Sequence, residues 1–207
     1  MIRSWWKAAS LAVLLFPVCL NAQTVRIVVP FAAGGVQDII ARSINAEFGA
    51  KIGRTVIVEN RTGAGGTIAN ASVAKSTPDG TTLLLAAASH TITGHVYAKL
   101  PYHPLHDFTP VAHIGNVDYV LMIHGELPAK SVREFIALLK KDPGKYNFAS
   151  AGTGSATHLS MAYFSSLAGV EMVHIPFKAT NEAVQEVLVG RAQAVMASTI
   201  GALPFAQ

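Results

Sequence analysis

The sequence predicts an α/β protein built on parallel sheets, and three observations point there. Short apolar runs alternate with amphipathic helical stretches along most of the chain, the pattern of strand–helix–strand crossovers. Two glycine-bearing turns, Pro30–Asp38 (PFAAGGVQD) and Ala149–His158 (ASAGTGSATH), each follow an apolar run and open a helix. Of the 207 residues 51% are hydrophobic and 14% charged, enough apolar material for one large or two small domains.

The chain starts with Arg3 and Lys7, continues through the apolar stretch Ala8–Leu20 and reaches the small residue Ala22. That is the three-part build of a secretory signal, with an apolar part too short to span a bilayer. Residues 1–22 are therefore expected to be removed on export to the periplasm, although Leu20 is larger than a signal peptidase prefers. The competing reading is a retained N-terminal anchor. Cys19, the only cysteine, falls inside this segment, and Pro17-Val18 before it fits a lipid-anchor site poorly. The rest of the chain then has no disulfide framework and no thiol chemistry. Without Arg3 and Lys7 it carries 14 basic and 12 acidic residues, a formal charge of +2. No basic footprint marks a nucleic-acid partner, and no later run is long enough to cross a membrane.

Residues 23–123 read as a first α/β domain. Val25–Val29 is a buried strand, and Val36–Phe48 a helix with Ile40, Ile44 and Phe48 on one face. Thr55–Val58 is the next strand, Arg61–Thr67 (RTGAGGT) leads into a helix over Ile68–Lys75, and Pro78-Asp79-Gly80 turns the chain. Thr81–Ala87 is apolar enough for a strand buried on both faces. A looser stretch with Pro101, Pro104 and Pro110 precedes strands at Val111–Ile114 and Tyr119–Ile123. The crossover is placed near Ile123–Lys130.

Residues 124–207 read as a second, partial α/β domain. Ser131 and Glu134 form a capping-box pattern ahead of a helix whose stripe is Val132, Phe135, Ile136 and Leu139. Asp142-Pro143-Gly144 stops it. Strand Tyr146–Phe148, the second glycine turn, helix Thr157–Leu167, strand Met172–Ile175, helix Glu182–Leu188 and strand Ala192–Met196 follow. The final stretch Ile200–Phe205 is apolar and reads as uncapped, which suggests a truncated chain.

The first N–H groups of a helix lack intrahelical partners and sit at the positive end of its dipole. Glycine there lets a ligand reach the backbone, so each glycine turn is a candidate anion site, or else a plain strand-to-helix link. Gly152 and Gly154 resemble part of a dinucleotide fingerprint, but its third position is Thr157 and no acidic residue ends the following strand. A Walker loop is excluded because neither turn is followed by its lysine. Asp118, Ser155 and His158 could be drawn as a hydrolase triad, yet the Gly-x-Ser-x-Gly elbow is missing. His103 and His106 flank Pro104 without further ligands, so a surface role outweighs a metal site. No metal and no cofactor is expected.

Six segments in order carry a resemblance: PFAAGGVQDIIAR, VIVENRTGAGGTIA, STPDGTTLLLAAASHT, LPYHPLHDFTPVA, LPAKSVREFIALLKKDPGKYNFASAGTGSATHL and HIPFKATNEAVQEVLVGRAQAVMAS. Together they resemble the solute receptors of the tripartite tricarboxylate transporter family, the Bug-type periplasmic substrate-binding proteins. The resemblance runs from about Val25 to the end. It implies the two-domain, hinged-cleft periplasmic binding fold of type II, with the second domain and its return segment incomplete here. It also implies a monomeric, non-enzymatic receptor that takes a small mono- or dicarboxylate to membrane permease subunits.

By position, the resemblance implies ligand contacts from Ala33, Gly34, Gly35 and Val36, with Asp38 on the helix behind. It puts Ser89, His90 and Thr91 at the cleft rim. The second turn would supply Thr153, Gly154, Ser155 and Thr157, with His158 behind them, and Lys178 and Thr180 would follow the next strand. Each has a plainer alternative: Asp38 and Ser155 as helix caps, His158 as an internal hydrogen-bonding group, Lys178 as a solvated lysine. Two departures stand out. Val36 occupies a position where the family often has a small hydroxyl residue, and the strand after Arg191 lacks the usual acid near Ala194. The contacts would then lean on backbone N–H groups and water. Two other functions remain open at this point: a sensory partner of a membrane kinase, and a nucleotide-dependent α/β enzyme, against which the export signal and incomplete fingerprint count.

Overall fold

The computed structural model describes residues 24–205. The expected export signal and Cys19 lie outside the described residues. Two sheets organise the chain. The first is built from β1 (Val25–Val29), β2 (Val56–Asn60) and β3 (Thr82–Leu84) in the order β2-β1-β3, all parallel. Parallel neighbours need crossovers, and these are α1 (Val36–Ile52) and α2 (Thr67–Ala74), the latter preceded by a 3-10 turn at Ala64–Gly66. Val25, Ile27 and Val29 share one face of β1 by the two-residue period and pack with Ala41, Val56 and the partly buried Phe48. Gly53, in the left-handed region at φ 65°, closes α1 at its C-terminus.

The second sheet has the order β4-β7-β5-β6, from β4 (Tyr119–Ile123), β5 (Asn147–Ser150), β6 (Val173–Pro176) and β7 (Ala194–Ser198). It is parallel except for β4, which runs antiparallel to β7. Helices cover both faces. Along β7, Ala194 joins Phe135, Leu139, Phe148 and Met161 beneath α4 (Val132–Lys141) and α5 (Ala156–Ala168). The next residue, Val195, points the other way into Ala183, Val184 and Val187 of α6 (Thr180–Leu188). Phe135 and Leu139 have no exposed surface, so each contributes about 1.5–3 kcal/mol through burial. The short helices α3 (Thr93–Val96) and α7 (Thr199–Ala202) complete the described elements.

Several expectations need correction. The strand expected over Thr81–Ala87 is three residues long and half-buried, because the described sheet gives it a partner, β1, on one side only. Val111–Ile114 is no strand: it follows Pro110, which has no N–H to donate, and Val111 is 77% exposed. Tyr119–Ile123 belongs to the second sheet, so the crossing between sheets falls before Tyr119 and not at Ile123–Lys130. Val132 is exposed, which narrows the stripe of α4 to Phe135, Ile136 and Leu139. In the Ser131 cap, Glu134 N–H donates to Ser131 Oγ, but the Glu134 carboxylate accepts from Lys130 N–H and not from Ser131. The segment read as uncapped begins with a cap: Gly201 N–H donates to Ser198 Oγ at the start of α7. Among the described residues no helix is long and apolar enough to cross a membrane.

Candidate functional site

Both glycine turns form as expected, and they face the same junction. In the first, Gly34 takes φ +78°, a conformation that favours glycine, and Gly35 is the N-cap of α1. Beneath the turn lies Asp38. Its carboxylate accepts from Gly34 N–H at 2.9 Å, from Arg42 Nε at 3.0 Å and from Asn60 Nδ2 at 2.9 Å. Asn60 Nδ2 also donates to the Phe31 carbonyl at 3.0 Å, tying the turn to the end of β2. Burial pushes the Asp38 carboxyl up, but the bonds from Arg42, Gly34 and Asn60 outweigh this and hold it below the usual carboxylate range. Asp38 is therefore an internal brace beneath the turn, the cap-like alternative, and Gly34 N–H is already engaged.

In the second turn Gly154 takes φ +79°, and Ser155 caps α5 by accepting from His158 N–H. Thr157 Oγ1 accepts from Ala151 N–H at 2.8 Å and shares a hydrogen with Ser155 Oγ at 3.0 Å. Two hydroxyls joined by one hydrogen bond leave one hydroxyl hydrogen over, so this pair keeps a donor for a ligand. His158 Nδ1 accepts from Gly154 N–H at 3.2 Å. His174 Nε2 lies 2.6 Å from Ser150 Oγ, which itself accepts from Gly152 N–H at 3.1 Å. The rings of His158 and His174 are 4.1 Å apart, and the Phe148 ring stacks 4.8 Å from His174. Burial lowers the pKa of His158; burial and then the facing His158 lower that of His174 to about 4. Both rings are neutral at pH 7, as the accepting role of His158 requires.

The two units touch here. Ala32 N–H donates to the Lys178 carbonyl at 3.4 Å, and a Cβ at Gly35 would lie 3.9 Å from the Ala179 Cβ. The N-termini of α1, α5 and α6 thus converge. Only α5 has a side-chain cap; α1 and α6 have none. Beside these helix starts lies a space of about 10 Å³, room for about one water. Gln37, Ser155, Ala156, Thr157 and Thr180 line it, with Phe31 and Ala151 leading to a neighbouring cavity of about 400 Å³. That cavity runs between Gly63–Gly66 on one side and Ala151–Thr153 with Phe177–Lys178 on the other, with the Glu182 carboxylate of the first turn of α6 also in its lining, and its size suits a small solute.

Of the remaining expected residues, Ala33 and Thr91 are exposed, and Val36 is buried against the α7 side of the junction. Thr153 and Lys178 line the larger cavity, where Lys178 N–H donates to Glu182 Oε2 at 3.0 Å. Ser89 is buried, its carbonyl accepting from Thr93 N–H. His90 is not at this junction. Its Nε2 lies 2.8 Å from the Pro104 carbonyl and its ring packs edge-on to Phe108, inside the proline-bearing segment. Sequence reasoning missed Phe31, Gln37, Gly63–Gly66 and Tyr97. Three glycines in RTGAGGT before a helix were a signal of the same kind as the two turns singled out. Tyr97 carried none: its hydroxyl lies 2.9 Å from the Ala64 carbonyl and 2.6 Å from the Thr153 carbonyl.

Residues 40–207 match the model of the tripartite tricarboxylate transporter family receptor. The chain belongs to this family. A UPF0065 protein from the tcbD-tcbE intergenic region of Pseudomonas sp. strain P51 is 35% identical over 164 residues, 79% of this chain and 49% of its own length. The structure of Rhodopseudomonas palustris Rpa4515 with adipate is 31% identical with a TM-score of 0.83, over 89% of this chain and 62% of that one. MatC (Rpa3494) from Rhodopseudomonas palustris with bound malate is 35% identical with a TM-score of 0.84, over 91% and 63%. The receptor fold read from the sequence is thus the fold of the chain. The family is one of receptors, the class favoured above over an enzyme. The chain spans about half the length of the curated relatives it matches.

Proposed function

We propose that this chain is the cleft-forming part of a periplasmic carboxylate receptor. Its two sheet-centred units act as lobes around a small mono- or dicarboxylate, of the class of malate and adipate, and pass it as a monomer to membrane permease subunits. The observation that carries the reading is the meeting of three helix N-termini, two without a side-chain cap, beside a cavity of about 400 Å³. Unmatched N–H groups and the positive dipole ends favour an anion there.

No covalent step is needed. Backbone N–H groups of Val36, Gln37, Ala156 and Thr157 meet the carboxylate oxygens, and the hydroxyl hydrogen left over between Ser155 and Thr157 sets orientation. Each charge-assisted bond is worth about 1.5–3 kcal/mol, so a few reach the roughly 8 kcal/mol of micromolar binding. Calorimetric titration with malate and adipate, and with the diamide of adipate as uncharged control, tests this. Saturable binding of at least one dicarboxylate and none of the diamide is expected. Equal response to the diamide, or none to either acid, overturns it.

A further inference from the structure

Tyr97 does something that neither glycine turn does alone. It is carried by the segment after β3, and that segment is pinned to the first unit: Asn70 of α2 donates to Tyr102 Oη at 3.0 Å, and Thr93 Oγ1 lies 3.4 Å from the same oxygen. From this anchored position Tyr97 Oη reaches the Ala64 carbonyl in its own unit and the Thr153 carbonyl in the other. Its ring lies over Gly154, where a Cβ would come within 2.8 Å of Cε2. Beside it the backbones themselves meet, since any Cβ on Gly65 would collide with the Thr153 carbonyl oxygen. Burial, and then Tyr102, raise the Tyr97 pKa, so the phenol keeps its hydrogen at neutral pH.

We propose that Tyr97 is a positioning residue that latches the two units closed, donating its one hydroxyl hydrogen across a glycine-to-glycine contact to the Thr153 carbonyl, the nearer acceptor, with the Ala64 carbonyl as the alternative acceptor in its own unit. The Thr153 carbonyl belongs to the turn whose next residues, Ser155 to Thr157, face the proposed ligand. Fastening it to Tyr97 holds that turn against the first unit, so the latch acts on ligand escape and not on first contact. Gly65 and Gly154 carry no side chain for the same reason: one makes room for the opposing carbonyl and the other for the tyrosine ring. The ligand-binding consequence rests on the receptor reading above; the closing contact itself does not.

The test separates the two. In a Cys19→Ser background, spin labels at Lys51→Cys and Lys141→Cys report the distance between the units by pulsed electron resonance, without ligand. Tyr97→Phe keeps the ring over Gly154 and deletes only the hydroxyl, and it is expected to add a longer-distance population at least several-fold larger than in the parent. Tyr163→Phe, on the exposed face of α5, is expected to leave the distribution unchanged. Gly65→Ala, which pushes the facing backbones apart, is expected to lengthen it as well, and a cooperative melt of each variant certifies folding. With malate as probe, Tyr97→Phe is expected to raise the dissociation rate about fivefold with little change in association rate, the worth of one ordinary hydrogen bond. An unchanged distance distribution in Tyr97→Phe overturns the latch. If the distribution shifts but the parent ignores malate and adipate, the latch stands and the carboxylate reading fails.

Discussion

The turns before α1 and α5 have the same outline, a strand end, a left-handed glycine and a helix start, but they are braced by opposite means. Under the first lies an ionised carboxylate: Asp38, fed by Gly34 N–H, Arg42 and Asn60. Under the second lie neutral groups: Thr157 and Ser155 hydroxyls, and two uncharged histidines, of which His158 accepts from Gly154 N–H. The difference teaches that the shape of a glycine turn at a helix start does not dictate its support. It also leaves the positive end of α1 beside a fixed negative charge that is itself neutralised by Arg42, while α5 keeps an undiminished positive end.

The largest effect expected from breaking this contrast is at Asp38. Asp38→Ala leaves Gly34 N–H, Asn60 and Arg42 without their common acceptor, and a loss of about 2–4 kcal/mol in urea unfolding is expected, the lower part reflecting the half-exposed Arg42. Thr157→Val, on the neutral side, removes the acceptor for the buried Ala151 N–H and is expected to cost about 1–3 kcal/mol by the same measurement. A smaller cost at Asp38 than at Thr157 would reverse the ranking of the two braces.

Acid sharpens the comparison further. His174 titrates near 4 in the folded chain against 6.5 for the free side chain, and His158 is shifted the same way. Between those values the unfolded chain binds more protons than the folded one, so stability falls as pH drops from about 6.5 towards 4. The groups facing these rings are each other and Phe148, with no carboxylate bonded to either among the described residues. Asp38, held below its ordinary 3.8, contributes stability that is lost only as pH falls through that lowered value. Hydrogen exchange is therefore expected to show Gly154 N–H losing protection before Gly34 N–H as pH decreases. Simultaneous loss would mean that the two turns are not separately supported.

The smallest expected effect concerns the glycines. Gly35 has an ordinary negative φ, and an added Cβ would press on the Ala32 carbonyl at 3.1 Å, so Gly35→Ala is expected to weaken malate binding by severalfold with little change in melting temperature. Gly154 cannot serve as its mirror, because a side chain there meets both a left-handed backbone and the Tyr97 ring. A melting temperature for Gly35→Ala well below the parent would show that this turn, too, is limited by packing.

Much of this was legible in the sequence for a physical reason. Helix starts and strand ends are local, so the turns at Gly34–Gly35 and Gly152–Gly154, the stripe of Phe135, Ile136 and Leu139, and the Ser131 cap could be read from spacing alone. What could not be read depends on partners far along the chain. Tyr119–Ile123 looks like any half-buried strand, and only pairing with Ala194–Ser198 assigns it to the second sheet. Val111–Ile114 has strand composition but pairs with no strand among the described residues. His90 sat next to Ser89 in a motif, yet its ring is drawn away by Pro104 and Phe108. Tyr97 acts through carbonyls of Ala64 and Thr153, which carry no side-chain signature at all.

The central claim is that a carboxylate is met by bare backbone at converging helix starts. Amide chemical shifts in a nitrogen–proton correlation spectrum, followed through a malate titration, test it most directly. The account expects the largest and saturable shifts at the N–H groups of Val36, Gln37, Ala156 and Thr157, with Gly34 N–H, already held by Asp38, moving little. Malate binding that leaves those four amides unmoved would contradict it.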